Sequence, residues 1–450
     1  MTTRLALWGT AACLAASGGL ACGAAADGEE SGAGADAITA VGTLIPETAP
    51  TAAVVLANAD LFAGINELHY TLLRGLFADR ALDDVKVIYL TPDDAADVLT
   101  PVRAKDGDRL MGRFSARFAT EIASGRLVRT KSAVETNWPR DYFPLTVKDP
   151  APASSAKKAI RFEYNVMPGT GPAAEASARA LGFSVTKSDL TIEGGNIMID
   201  EDATLFVTTK ILERNKPKTK PQVEAELRRT LGAKDIEWLA PLPGESTGHV
   251  DIFAKVLGHK RAIVAASDAV CDADAPPTCK ERKPALDLVA KAFERRGYRV
   301  TRVMNAESSG DVRAITYANS LLVNGTAFVP MYFDPGTADD LALTMEGPQV
   351  PAKAIIKACN QRNPFPGTTD LAADLVARER ARCAIEGVVE AAKLAGDPSA
   401  YLEYSLRIAQ RDGEARKAYE ALGLRVQQVP GAGMINFGGS VHCVTMQLPK

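Results

Sequence analysis

One short pattern recurs along this chain and restricts its fold more than any other feature: a helical stretch, a glycine stop, then a strand. It is written Ala180-Leu181-Gly182-Phe183-Ser184-Val185, again Arg295-Arg296-Gly297-Tyr298-Arg299-Val300, and again Ala421-Leu422-Gly423-Leu424-Arg425-Val426. Thr230-Leu231-Gly232 leading into Ile236 is a looser copy. In physical terms a helix ends on a glycine in the left-handed conformation and the chain drops into a buried strand. A first unit keeps the order without the glycine, with a periodic helix over 61–77 and a strand over 85–90. Further strands are expected at 53–56, 205–208, 261–265 and 327–330. Five repeats of one supersecondary unit point to a closed, pseudo-symmetric α/β array, with an open α/β sheet as the alternative.

Downstream of each strand comes one polar, mostly glycine-bearing motif out of keeping with a packed core. In order these are Trp138-Pro139-Arg140-Asp141, Glu193-Gly194-Gly195-Asn196, Gly248-His249-Val250-Asp251, Thr316-Tyr317-Ala318-Asn319 and Gly438-Gly439-Ser440-Val441-His442-Cys443. A pseudo-symmetric ring would bring all five to its axis. Two spacings are irregular. An extra helical stretch is expected over 108–122, and a charge- and alanine-rich block over about 345–412 lacks strand signals and is too long for a loop. Within that block 371–394 and 401–409 have the pattern of amphipathic helices, so it is a helical insertion before the last strand unit.

A net charge of −3, with no concentrated run of Lys and Arg, argues against a nucleic-acid partner. At the N-terminus, Arg4 followed by an uncharged stretch over 5–20 and small residues to Ala26 has the form of a cleaved signal peptide, too short for a membrane span. Export from a bacterial cell is therefore expected, to the periplasm, the outer membrane or the medium. Gly19-Leu20-Ala21-Cys22 resembles a lipobox, which would lipidate Cys22 and give the only membrane attachment; ordinary cleavage after Ala26 is the alternative. The Gly-, Ala- and acid-rich residues that follow are expected to form a disordered tether over 27–48, leaving 49–450 as the catalytic domain. Of seven cysteines, Cys13 leaves with the signal and Cys22 leaves or carries lipid. Cys271 and Cys279 bracket a short loop and Cys359 and Cys383 bracket another segment, so each pair can close in an oxidising compartment. Cys443 is then left over: either a buried structural thiol or a nucleophile.

There are four histidines. His69 falls within the first helix, where packing is the simpler reading, and His259 lies at a turn. His442 adjoins Cys443, and on a strand neighbours point to opposite faces, which makes it a poor partner for that thiol. His249 stands two before Asp251, so on a strand both would face one way. A Cys/His/Asp set without CxxC or HExxH spacing gives metal binding little support. A carboxylate cluster suits a planar cation better, since guanidinium presents a fixed fork of donors that carboxylates meet bidentately. Asp141, Glu193 and Asp251 would hold its nitrogens and place its carbon before the sulfur.

The motifs NWPRDYFP, TIEGGNIMID, GHVDIFAKV, TYANSLLVNG and GGSVHCVTMQLP, in this order, resemble the guanidino-modifying (pentein) superfamily. The resemblance is to the branch of agmatine deiminases and Porphyromonas-type peptidyl-arginine deiminases. It implies a five-bladed α/β propeller with its active site on the axis, no metal and no organic cofactor. It implies that Cys443 attacks the guanidinium carbon and that His249 protonates the departing ammonia and then activates water. Asp141, Asp251 and Glu193 would bind the guanidinium, Asn319 would line the pocket, and Trp138 would pack on the substrate's stem. The substrate would be agmatine or arginine in peptides. Phe143 stands where the family has glycine, and Phe437 shortens the glycine run before the His-Cys pair, which puts bulk near the pocket. Two other readings are amidinotransfer on the same fold and an exported binding protein without turnover. Oligomeric state is not encoded in any of these features.

Overall fold

The structure, a computed structural model, describes residues 40–57, 63–91, 98–103, 109–113, 118–149, 157–164, 166–269, 271, 277–306, 315–333, 352–362, 400–431, 434 and 439–450, with single positions between 380 and 391. The expected signal peptide, the lipobox Cys22, tether residues 27–39 and most of the helix expected over 371–394 lie outside the described residues.

The chain is a mixed α/β fold of five like-built sheets and one two-stranded ribbon. In each sheet a short strand pairs antiparallel with a central strand, and a crossover then brings a third strand in parallel. The central strands are Lys157–Glu163, Thr204–Thr208, Arg261–Ala266, Thr326–Met331 and Thr51–Ala57. They are apolar on both faces: Leu205, Phe206 and Val207 are all fully buried, as expected of strands covered on both sides. Helices Thr170–Ala180, Lys220–Leu231, Pro277–Arg295, Ala400–Ala421 and Ala63–Ala78 lie in the crossovers. Gly182, Gly232, Gly297 and Gly423 end four of them with positive φ, from 61° to 88°, where any other residue would be strained.

The fifth sheet takes strands from both ends of the chain. The C-terminal strand Met446–Pro449 pairs antiparallel with Thr51–Ala57, placing Met446 opposite Val55 and Leu448 opposite Ala53. This joins the last unit to the first, and it also places Cys443, just upstream of that strand, beside the ends of the first-unit strands.

Three expectations are corrected. Residues 40–48, read as the end of a tether, are ordered: Thr43–Leu44 adds an edge strand to the first sheet against Val147 and Lys148, and Val41 N–H bonds Arg229 O at 2.8 Å. Within the helix expected over 108–122, Arg109–Arg113 is a strand paired with Val98–Arg103, and among the described residues helix is confined to Ala119–Ala123. Pairing with a partner strand overrides a pattern that fits either period. The insertion over about 345–412 is helical where described, but its last helix continues to Ala421. Asp412 on that helix is fully buried and accepts the Tyr317 hydroxyl at 2.7 Å and the Phe333 N–H at 3.0 Å. The bridges Cys271–Cys279 and Cys359–Cys383 are both formed, and Cys443 is free.

Candidate active site

Each of the five polar motifs stands within five residues of the first strand of its sheet, in a tight turn. Pro139–Tyr142 is a single helical turn, Gly194–Asn196 and Val250–Ile252 are 3-10 turns, and 441–444 is a run of turns. His249 and Asp251 therefore share a direction through a 3-10 turn and not through strand parity. Asn196 and Thr208 exchange two hydrogen bonds of 2.9 Å, and the Thr208 hydroxyl donates to Gly248 O at 2.6 Å, locking the second motif to the third.

The turns bring the side chains together. Cys443 is buried; its Sγ faces Asp251 Oδ2 at 3.7 Å and accepts from Asn319 Nδ2 at 3.2 Å. Asn319 also takes the His442 N–H on its Oδ1 at 3.1 Å. His249 Nε2 meets Glu193 Oε2 at 2.5 Å, and its Nδ1 lies 3.7 Å from Asp141 Oδ1. Gly195 donates its N–H to Asp141 Oδ1 at 3.1 Å. A Cβ on Gly195 would sit 2.5 Å from His249 Nδ1, 2.9 Å from Asp141 Oδ1 and 3.2 Å from Asp251 Oδ2, so three motifs converge on one glycine. The Trp138 ring lies against Gly439, where any Cβ would strike it and approach Cys443 Cβ at 3.1 Å. Gly438 and Phe437 lie outside the described residues.

Of the residues singled out from sequence, Cys443, His249, Asp251, Asp141, Glu193, Asn319 and Trp138 all gather at this place. Both Glu193 oxygens are engaged, one by His249 and the other in an ion pair with Arg214. Asp251 Oδ1 is buried without a hydrogen-bond partner among the described residues, as is Glu193 Oε1 apart from its ion pair with Arg214. His69 is packed in the core against the Tyr89 hydroxyl, and His259 is an exposed turn residue with φ 51°.

His442 does not partner the Cys443 thiol, though the reason is not strand parity: it lies in a turn, and its Nδ1 meets Asp251 Oδ2 at 2.6 Å. Its Nε2 meets Glu47 Oε1, and Glu47 also takes Lys255 Nζ at 2.9 Å and Arg140 Nη1 at 3.0 Å. Lys255 and Arg140 are almost wholly buried. One signal for them was available: a Lys one residue before the end of GHVDIFAKV and an Arg inside WPRD are charges within otherwise buried motifs, and such charges need partners. Nothing local marked Glu47.

Residues 100–362, more than half the chain, match the model of the Porphyromonas-type peptidyl-arginine deiminase family. The chain belongs to that family. An agmatine deiminase from Stutzerimonas stutzeri is 27% identical over 172 residues, 32% of this chain and 46% of that protein. This chain spans about half the length of the curated relatives it matches. Among solved structures, C. jejuni agmatine deiminase superposes with TM-score 0.55 at 15% identity, covering 90% of this chain and 96% of that one. The agmatine deiminase of Enterococcus faecalis gives 0.54 at 14% identity, covering 91% and 96%. At such identities the likeness is one of fold. The family match takes in four of the five motifs and stops before Cys443, whose place in the site rests on the geometry above.

The electrostatics of this family member's site are set by burial among carboxylates. Burial, helped by Glu193 and Asp251, pushes Asp141 up against the pull of His249 and leaves it at about 7. Burial pushes His249 down, but Asp141, the Glu193 hydrogen bond and Asp251 raise it to about 9. Burial pulls Asp251 up, yet the bond and charge of His442 hold it below the usual carboxylate range. Burial, then Asp251 and Asp141, drive the Cys443 thiol well above its ordinary value. The site thus sets a protonated thiol and an imidazolium beside the Asp141 and Asp251 carboxylates. Among the described residues no group of three or more His, Cys, Asp and Glu is arranged to hold a metal.

Proposed function

We propose that this protein is a guanidine iminohydrolase that converts the guanidinium of agmatine, or of arginine in a peptide, to a ureido group and ammonia through a covalent Cys443 intermediate. The observation that carries this is the convergence of one free thiol, one imidazolium and carboxylates on a common point, with Asp251 Oδ1 unpartnered.

The guanidinium would lie between Asp141 and Asp251 Oδ1, its carbon before Cys443. A cation there adds positive charge beside the sulfur, so the thiol gives up its proton to solvent as the substrate binds. The Sγ–C bond then forms. His249, charged at neutral pH, gives its proton to the departing nitrogen, and ammonia leaves a thiouronium. Neutral His249 next takes a proton from water, hydroxide adds to the carbon, and the C–S bond breaks as the added hydroxyl loses its proton to solvent, releasing the urea and the Cys443 thiolate. Glu193 holds His249 in register through both steps. The N-terminal features that suggest export favour a peptide substrate, and the relatives named agmatine deiminases favour the small one. The export itself is part of the proposal.

The test supplies agmatine, free arginine and an arginyl peptide to the purified protein and measures ammonia and ureido product beside Cys443→Ala. Product from at least one substrate, abolished in the variant, is expected. Wild-type protein that binds these guanidines without product would show a binding protein instead, and product persisting in the variant would remove Cys443 as nucleophile.

A further inference from the structure

We propose that Glu47, in the turn ahead of the first core strand, is a positioning residue of the active site that acts through His442 to aim Asp251. The inference rests on the reading of Cys443 and Asp251 as guanidinium-handling groups, and it adds the N-terminal segment to that machinery.

The turn around Glu47 is closed by Ala49 N–H to Pro46 O at 3.0 Å, and Ile45 N–H bonds Thr146 O at 3.2 Å, so the segment is fixed on the first sheet. From there the Glu47 side chain reaches residues drawn from the first, third and fifth motifs: Arg140, Lys255 and His442. His442 stands between two carboxylates, Glu47 at Nε2 and Asp251 at Nδ1, so both ring nitrogens must carry protons for both contacts to be hydrogen bonds. A ring held at both ends cannot turn, and its grip on Asp251 Oδ2 leaves Oδ1 as the one open oxygen. Two buried cations, Arg140 and Lys255, balance two carboxylates, Glu47 and Asp251, so the set is neutral before the ring is counted. Removing Glu47 leaves two buried cations facing His442 with one carboxylate, and the ring loses its anchor. The same design, a histidine oriented by a carboxylate behind it, fixes ligand geometry in metal sites, and its loss there costs about 10- to 100-fold.

The experiment compares wild type, Glu47→Ala, Glu47→Gln, His442→Gln and the double variant Glu47→Ala/His442→Gln in the full chain. Two readouts are taken at equal folded fraction, checked by circular dichroism and melting. One is kcat and KM for ureido formation. The other needs no turnover: the alkylation rate of Cys443 by a chloroacetamidine, which carries an amidinium, divided by that for the neutral iodoacetamide. The proposal expects Glu47→Ala to lower kcat/KM about 100-fold, as for a reacting group displaced by about an ångström. The amidinium preference should fall at least tenfold. Glu47→Gln, which keeps an oxygen for the Nε2 proton, should recover most of that preference. In the His442→Gln background, removal of Glu47 should add less than threefold. Folded Glu47→Ala with both readouts within twofold of wild type would overturn the proposal, as would fully multiplicative losses in the double variant. If Glu47→Ala fails to fold, a Glu47→Gln preference as low as that of His442→Gln overturns it, and one near wild type supports it. If wild type makes no ureido product at all, the hydrolase reading fails while the alkylation ratios still decide the role of Glu47.

Discussion

The pH profile of kcat/KM tests the electrostatic reading most directly. The productive free protein has Asp141 as an anion, to receive the guanidinium, and His249 as a cation, to protonate the leaving nitrogen. Asp141 sits at about 7 and His249 at about 9, so the acid limb should bend near the first value and the basic limb near the second. With limbs that far apart, about four-fifths of the protein has both groups correctly charged at pH 8, and about a tenth does at pH 6 or pH 10. Activity should therefore change about tenfold on moving from the plateau to either of those points. Initial rates at low substrate between pH 5.5 and 10.5, in buffers of constant ionic strength, give the curve. Cys443 supplies the contrast. Its thiol is held well above its ordinary value by burial and by Asp251 and Asp141, and in the proposed mechanism it ionises only when the substrate cation arrives. A profile still climbing at pH 10 would mean that the thiol must ionise before substrate binds, and the reasoning would fall.

Three further outcomes follow from the same geometry. Glu193→Gln removes the carboxylate 2.5 Å from His249 Nε2 and should move the basic limb down from about 9 toward the ordinary 6.5, with kcat lowered about 10- to 100-fold; an unmoved limb in the pH–rate curve would contradict the pairing. Gly195→Ala drives a methyl into His249, Asp141 and Asp251 and should cost about 100-fold or more in kcat/KM, so wild-type rates in this variant would disprove the convergence. In Cys443→Ala, the affinity for a guanidinium ligand measured by calorimetry should rise about tenfold per pH unit up to about 7 and then level. The sign follows from Asp141, whose raised value keeps it protonated below that point, so the cation must expel a proton; equal affinity at pH 5.5 and 7.5 would exclude it.

What the sequence disclosed and what it hid divide along the range of the interactions. The glycine stops at Gly182, Gly297 and Gly423 are local, and each has the positive φ that its pattern demands. The five motifs were visible because each carries a polar residue that a core would reject, and each sits at the same point ahead of its sheet. The ordered segment at 40–48 was not visible. Its strand is two residues long, and Glu47 finds its partners 208 and 395 positions away, so no window of sequence contains the interaction. Arg109–Arg113 failed for a related reason: a five-residue run has too few turns of either period to choose, and pairing with Val98–Arg103 decides. For His442 the expectation that it would not partner the thiol holds, but on the wrong ground, since a rule about strands was applied to a turn. Parity separates neighbours on a strand, but in 441–444 it does not, and Cys443 and His442 both reach the Asp251 carboxylate.

That shared carboxylate gives the leftover cysteine a physical account. A thiol with a low pKa at a carboxylate-lined site would be a standing anion among anions, costly to bury and open to oxidation. Here Asp251 accepts from His442 with one oxygen and leaves the other without a hydrogen bond, and burial beside Asp251 and Asp141 keeps the Cys443 thiol well above its ordinary value. Reactivity is then conferred by the substrate's own charge. Neutral electrophiles should find the thiol slow, and cationic planar ones should find it fast. In such a site specificity for a guanidinium and activation of the nucleophile are one event, because the cation that fits between Asp141 and Asp251 is also what permits the sulfur to ionise.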